Sequence, residues 1–126
     1  MVSIKNEQEQ QRVSDGMPSD FPRDYWIGFH DSDDDDVWEW SDGSEKKWKK
    51  PPVKPDWGLP WLVAWVNWNP GEPNNSGPKC ARGRKDVDNK WMDDDKCNNA
   101  KGYICKIKGM NAIIFVFSNL RLKKAR

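Results

Sequence analysis

Two short strands stand out first from the pattern of apolar and polar positions. Tyr25-Trp26-Ile27-Gly28-Phe29 is an apolar run of the length a buried strand needs, and Trp38-Glu39-Trp40 puts two indoles on one face of a second. Ser41-Asp42-Gly43-Ser44 supplies the turn residues that end it. Upstream, Ser3 to Val13 is rich in helix formers, and Asn6 with Glu9 three positions later has the spacing of a capping box, so a short helix is expected there. Gly16 and Pro18 then turn the chain between Ser14 and Asp20.

Further along, the periods weaken. Residues 45–60 carry five Lys, four Pro and two Trp, a composition that fits an exposed loop or insertion. Leu62-Val63-Ala64-Trp65-Val66 regains strand character. Cys80 to Arg84 and Tyr103 to Lys108 read as strands framing the acidic segment Asp86 to Asp95. From Gly109 the character changes again: Ala112 to Phe117 is apolar and the end is basic. The expectation is a domain over 1–108 followed by a tail over 109–126. That tail reads as an extra strand or a disordered segment, with a partner-binding or self-associating segment as the alternative.

Length and composition narrow the class. A chain of 126 residues suits one domain, and nine Trp, four Phe and two Tyr suffice to build its core. A net charge of +1 gives nucleic-acid binding little support. Lys108, Arg121, Lys123, Lys124 and Arg126 hold much of the positive charge, which leaves the body mildly acidic. The runs Asp33 to Asp36 and Lys46 to Lys50 read as solvated loops. No apolar run reaches the ~18 residues of a membrane span, and there is no secretory signal at the start. His30, the only histidine, has no paired nucleophile, so an enzyme is not expected. Three cysteines, at 80, 97 and 105, suggest an oxidising compartment with one disulfide and one cysteine left over.

The candidate chemistry lies in Trp68-Asn69-Pro70-Gly71-Glu72-Pro73-Asn74-Asn75, a stiff loop that presents oxygen atoms. Calcium takes about six to eight oxygen ligands, mostly carboxylates and amides on loops. Glu72 and Asn74 qualify on this loop, and Asp93-Asp94-Asp95 qualify on a second. A Cys80–Cys97 disulfide would close the segment joining the two, worth about 3 kcal/mol in the chain-entropy model. An EF-hand starting at Asp31 fails, because its sixth position is Asp36 where glycine is required.

Taken in order, Tyr25 to Phe29, Trp38-Glu39-Trp40-Ser41-Asp42-Gly43, Glu72-Pro73-Asn74, Trp91 to Cys97 and Tyr103-Ile104-Cys105 resemble the motifs of a C-type lectin-like domain over residues 3 to 107. The resemblance implies an α+β fold with small antiparallel sheets, one or two short helices and a long irregular calcium-binding loop region. It implies a cis Glu72–Pro73 bond that turns both flanking oxygens towards one Ca2+. It further implies Glu72, Asn74, Asp93 and Asp94 as ligands of that ion and of a mannose-, fucose- or N-acetylglucosamine-type carbohydrate. This ligand set counts back from Cys97; counting forward from Trp91 would instead make Met92 a ligand, and a thioether does not suit calcium.

Asp31, Asp35 and Asn75 have the spacing of the family's accessory metal site, against the alternative of a solvated acidic loop. The family's further glutamate before Cys80 is replaced here by Gly77-Pro78-Lys79, so weaker calcium binding is expected, with water or Asp88 filling a position. Asn74-Asn75-Ser76 is a glycosylation sequon whose use would destroy the site. Trp68 and Trp91 read as core residues, whereas Trp48, Trp57 and Trp61 are candidates for an exposed binding surface.

In the family the late cysteine pairs with one near the start, so Cys105 is expected to lack its partner here. The first strand and first helix are expected to be missing, either because the sequence is a fragment or truncated gene model of a secreted or extracellular protein or because a shortened domain leaves Cys105 free. The alternative function is calcium-independent protein, mineral or surface binding on the same fold, with a protein partner or a second copy of the chain.

Overall fold

The computed structural model describes residues 1–44, 47–49, 65–94, 97, 102–107, 109, 112–117 and the backbone of 122–125. The chain enters extended. The Val2 N–H donates to the Ile104 carbonyl at 2.7 Å and the Val2 carbonyl accepts from the Gly28 N–H at 2.8 Å, which seats Val2 and Ile4 in the core.

Helix α1, Glu7–Gly16, follows. Asn6 caps it by accepting the Glu9 N–H at 2.8 Å, while the Glu9 carboxylate accepts the Lys5 N–H at 2.7 Å, one residue short of a reciprocal capping box. The helix thus starts later than expected, because the residues before the cap are tied to the sheet. It buries Gln10 and Val13.

Strands β1 (Asp24–Asp31) and β2 (Val37–Trp40) form where the apolar pattern predicts them. β3, Trp48–Lys49, pairs antiparallel with β2, so part of the stretch expected to be a loop extends the sheet instead. Residues 45–46 and 50–60 of that stretch, and Leu62 to Ala64 of the expected strand, lie outside the described residues; Trp65 and Val66 belong to no strand.

β4 (Lys79–Arg84) and β5 (Lys90–Asp94) form an antiparallel hairpin around a 3-10 turn at Lys85–Val87. Asp88 and Asn89 close it with φ of 58° and 56°, a conformation Asp and Asn tolerate better than most residues. The acidic segment expected between two strands is therefore itself partly a strand.

β1 is the hub. β4 pairs with both of its ends, while β6 (Gly102–Lys106) runs parallel beside Tyr25 and Trp26, and β2 runs antiparallel beside Phe29 and His30. β7, Ile113–Val116, then pairs antiparallel with β6, and β8, Leu122–Ala125, pairs with β7. The apolar stretch after Gly109 is therefore a sheet strand, and Ile113, Phe115 and Phe117 join the core. Phe21 meets Phe115 and Phe117 edge-on at 5.2 and 5.3 Å.

A second aromatic cluster lies beneath the candidate site. Phe29 stacks on Trp40 at 4.4 Å, Trp38 meets Trp68 edge-on at 4.8 Å, and Trp91, fully buried, contacts both Trp40 and Trp68. Such pairs add to the large area that each ring removes from water. Trp48 packs 5.7 Å from Trp68 and is buried, so it does not form the exposed surface expected of it. Trp57 and Trp61 lie outside the described residues.

Candidate functional site

Asn69-Pro70-Gly71-Glu72 is a turn closed by the Glu72 N–H donating to the Asn69 carbonyl at 3.0 Å. Pro70 presets its second position, and Gly71 takes a φ of +89° that a side chain would resist. The Glu72–Pro73 bond is cis and Pro73 is buried. Glu72 and Asn74 leave the loop on the same side, as the hydrogen bond between their side chains shows. Asn74 Nδ2 donates to Glu72 Oε1 at 3.2 Å.

Asp93 faces this loop from β5. Its carboxylate accepts the N–H groups of Asn74 at 3.0 Å and Asn75 at 2.7 Å, and Asn75 Nδ2 donates to the Asp93 carbonyl at 3.1 Å. Glu72 Oε2 lies 3.5 Å from the Asp93 backbone nitrogen. Burial, and then the Asp93 carboxylate beside it, push Glu72 up to about 7. Asp93 is held low against the effect of its own burial by Glu72 and by the Asn74 and Asn75 N–H groups. Any proton the pair retains sits on Glu72.

These residues fit a hard cation. Two carboxylates and an amide converge, all their donor atoms are oxygens once the Asn74 amide is turned over, and a divalent ion would offset both the burial and the neighbouring Asp93 charge that raise Glu72. Of the residues expected as ligands, the structure brings Glu72, Asn74 and Asp93 together. Asp94 is the next residue on a strand, so its side chain leaves the opposite face. Its Oδ2 lies 3.6 Å from Arg82 Nε, and Arg82 in turn donates to Asp24 Oδ1 at 2.6 Å. Among the described residues, no three Asp, Glu, His or Cys side chains form a group that could hold a metal ion.

Arg82 is the neighbour that sequence reading missed. Alternation along Cys80-Ala81-Arg82-Gly83-Arg84 was the available signal, because it puts both arginines on the partly exposed face of β4.

The accessory set does not assemble. Asn75 is engaged by Asp93, as above. Asp35 Oδ1 accepts the Val37 N–H at 3.0 Å. Asp31, expected in an exposed loop, is buried at the end of β1, and both its oxygens are committed. Oδ1 accepts the Asp35 N–H at 3.3 Å, and Oδ2 accepts the Asp36 N–H at 3.0 Å and the Lys79 ammonium at 2.9 Å. The Lys79 ammonium, not a gap between carboxylates, stands beside Asp31, and the structure does not bring these three residues together.

Cys80 and Cys97 form a disulfide that ties β4 to the chain just beyond β5, and Cys105 is a free thiol. Among the described residues, no helix is long and apolar enough to cross a membrane.

The family model for the lectin C-type domain matches residues 1–107. The chain is 36% identical over 108 residues to the CD209 antigen of Symphalangus syndactylus, covering 85% of this chain and 23% of that protein. It is likewise 36% identical over 107 residues to the CD209 antigen of Homo sapiens, covering 84% of this chain and 22% of that protein. The chain thus spans less than a quarter of the length of these two curated relatives. No solved structure matches it.

Proposed function

The chain belongs to the C-type lectin domain family, and on that premise we propose that it is a calcium-dependent carbohydrate-binding module for mannose-, fucose- or N-acetylglucosamine-type sugars. The observation that carries this reading is the convergence of Glu72, Asn74 and Asp93 around a cis Pro73. Burial, with the Asp93 carboxylate beside it, raises Glu72 to about 7, and a bound cation would favour the ionised form of both acids.

In this reading the Glu72 and Asp93 carboxylates and the Asn74 amide oxygen hold the ion. Bound calcium supplies an electropositive centre that takes two neighbouring sugar hydroxyls. Glu72 and Asn74 orient those hydroxyls by hydrogen bonds from their outer edges. The Asn74 and Asn75 N–H groups keep Asp93 ionised and fixed in place. No catalytic role is assigned to any residue. The disulfide supports a secreted or extracellular setting.

One observation favours a second reading, in which the domain binds a protein or a surface without calcium: Asp94 is paired with Arg82 and so is drawn away from the expected ligand set. Immobilised mannose separates the two. Retention in calcium, release by a chelator and loss of retention in Glu72→Gln support the first; retention that ignores both the chelator and the substitution supports the second.

A further inference from the structure

We propose that Lys79 is a built-in cation for the acidic loop after β1, so that its ammonium organises the Asp31–Asp36 carboxylates without a metal ion. Asp31 and Lys79 are direct partners in the β1–β4 ladder, which brings the lysine to the loop by strand register. Its side chain is 2% exposed and that of Asp31 is 0% exposed. The ammonium has three N–H groups and finds three acceptors: Asp31 Oδ2 at 2.9 Å, the Gly77 carbonyl at 3.2 Å and Asp36 Oδ1 at 3.4 Å. Asp34 Oδ1 lies 3.6 Å away, and the Trp38 ring lies beneath at 5.9 Å.

A hard divalent ion bound to Asp31 would need carboxylate oxygens at about 2.3 to 2.6 Å, in the space this ammonium fills. A tethered ammonium also has no translational entropy to lose on binding, so free calcium competes against a permanently present neighbour. The loop therefore keeps its shape when calcium is scarce. Among the described residues, any calcium response then comes from the Glu72–Asp93 site.

Removing the charge should turn the loop into a metal site. The expectation concerns the acidic loop only, so it is tested where Glu72→Gln has already disabled the proposed sugar site, and it stands whether or not that site binds calcium. Thermal unfolding of the full chain is followed in chelator and in about 10 mM calcium.

The Glu72→Gln chain should unfold at the same temperature in both buffers. Adding Lys79→Met should lower the midpoint by roughly 10 °C in chelator, because the buried Asp31 charge loses its counter-ion and keeps only the Asp35 and Asp36 N–H groups, and calcium should restore much of that loss. A third chain with Asp31→Asn as well should regain stability in chelator and lose the calcium response, since no buried charge remains to be satisfied. Two results would overturn the proposal. One is a calcium-dependent rise in Glu72→Gln alone, which would mean that metal enters the loop beside Lys79. The other is a Lys79→Met chain, folded or not, that calcium leaves unchanged.

Discussion

The backbone of Trp68 runs beside that of Trp91 as a parallel bridge, with the Asn69 N–H donating to the Trp91 carbonyl and the Trp91 N–H donating to the Asn67 carbonyl, both at 2.8 Å. This pairing anchors the root of the Glu72 loop to β5 and so brings Glu72 opposite Asp93. Trp91 is itself fixed from below: its buried indole N–H donates to Gln10 Oε1 on α1 at 2.9 Å.

Gln10→Ala should therefore leave a buried indole donor without its acceptor. The expected cost is about 1–3 kcal/mol of unfolding free energy, read from denaturant titration. A loss within the noise of the titration would mean that α1 does not fix the position of Trp91.

Phe115→Ala tests whether β7 belongs to the core. The ring is fully buried and packs against Phe21, so its removal should cost about 3–5 kcal/mol. A dispensable tail would tolerate the change.

These elements were unequally legible in the sequence. The Tyr25 to Phe29 run, the Trp38–Trp40 alternation and the Asn6 cap are local signals, and each produced its element. The position of Lys79 was not legible, because a lysine before Cys80 becomes a buried ion only through its register against Asp31, 48 residues away. Asp93 and Asp94 looked equivalent as a pair of acids on a loop. Placing them on β5 separates them, since neighbouring side chains on a strand point to opposite faces. The run from Ala112 to Phe117 showed its β character but not its partner, which is chosen by the open edge of β6.

The Cys80–Cys97 bridge spans 17 residues and encloses the β4–β5 hairpin. Replacing both cysteines with alanine should cost about 3 kcal/mol in the chain-entropy model. Denaturant unfolding of the double variant, compared with the oxidised chain, measures the loss directly.

Asp42 gives the domain an acid-sensitive tie between the β2 turn and the entering chain. Burial alone would raise its carboxyl, but hydrogen bonds from Ser44 and Ser3 outweigh that, with Lys5 close by, and lower it from 3.8 to about 2. The folded value lies below the unfolded one. The stabilisation is thus complete above about pH 4 and is lost as pH falls towards 2. Asp42→Asn should be less stable at neutral pH and lose less stability across that window, as read from denaturant midpoints at each pH. Parallel pH profiles for the two proteins would contradict the assignment.

Calorimetric titration of calcium into the full chain decides whether Glu72 and Asp93 hold an ion. One ion per chain is expected, with a dissociation constant of roughly 10⁻⁴ to 10⁻³ M, and no detectable binding in either Glu72→Gln or Asp93→Asn. Unchanged binding in both variants, or no binding to the unaltered chain, would contradict it.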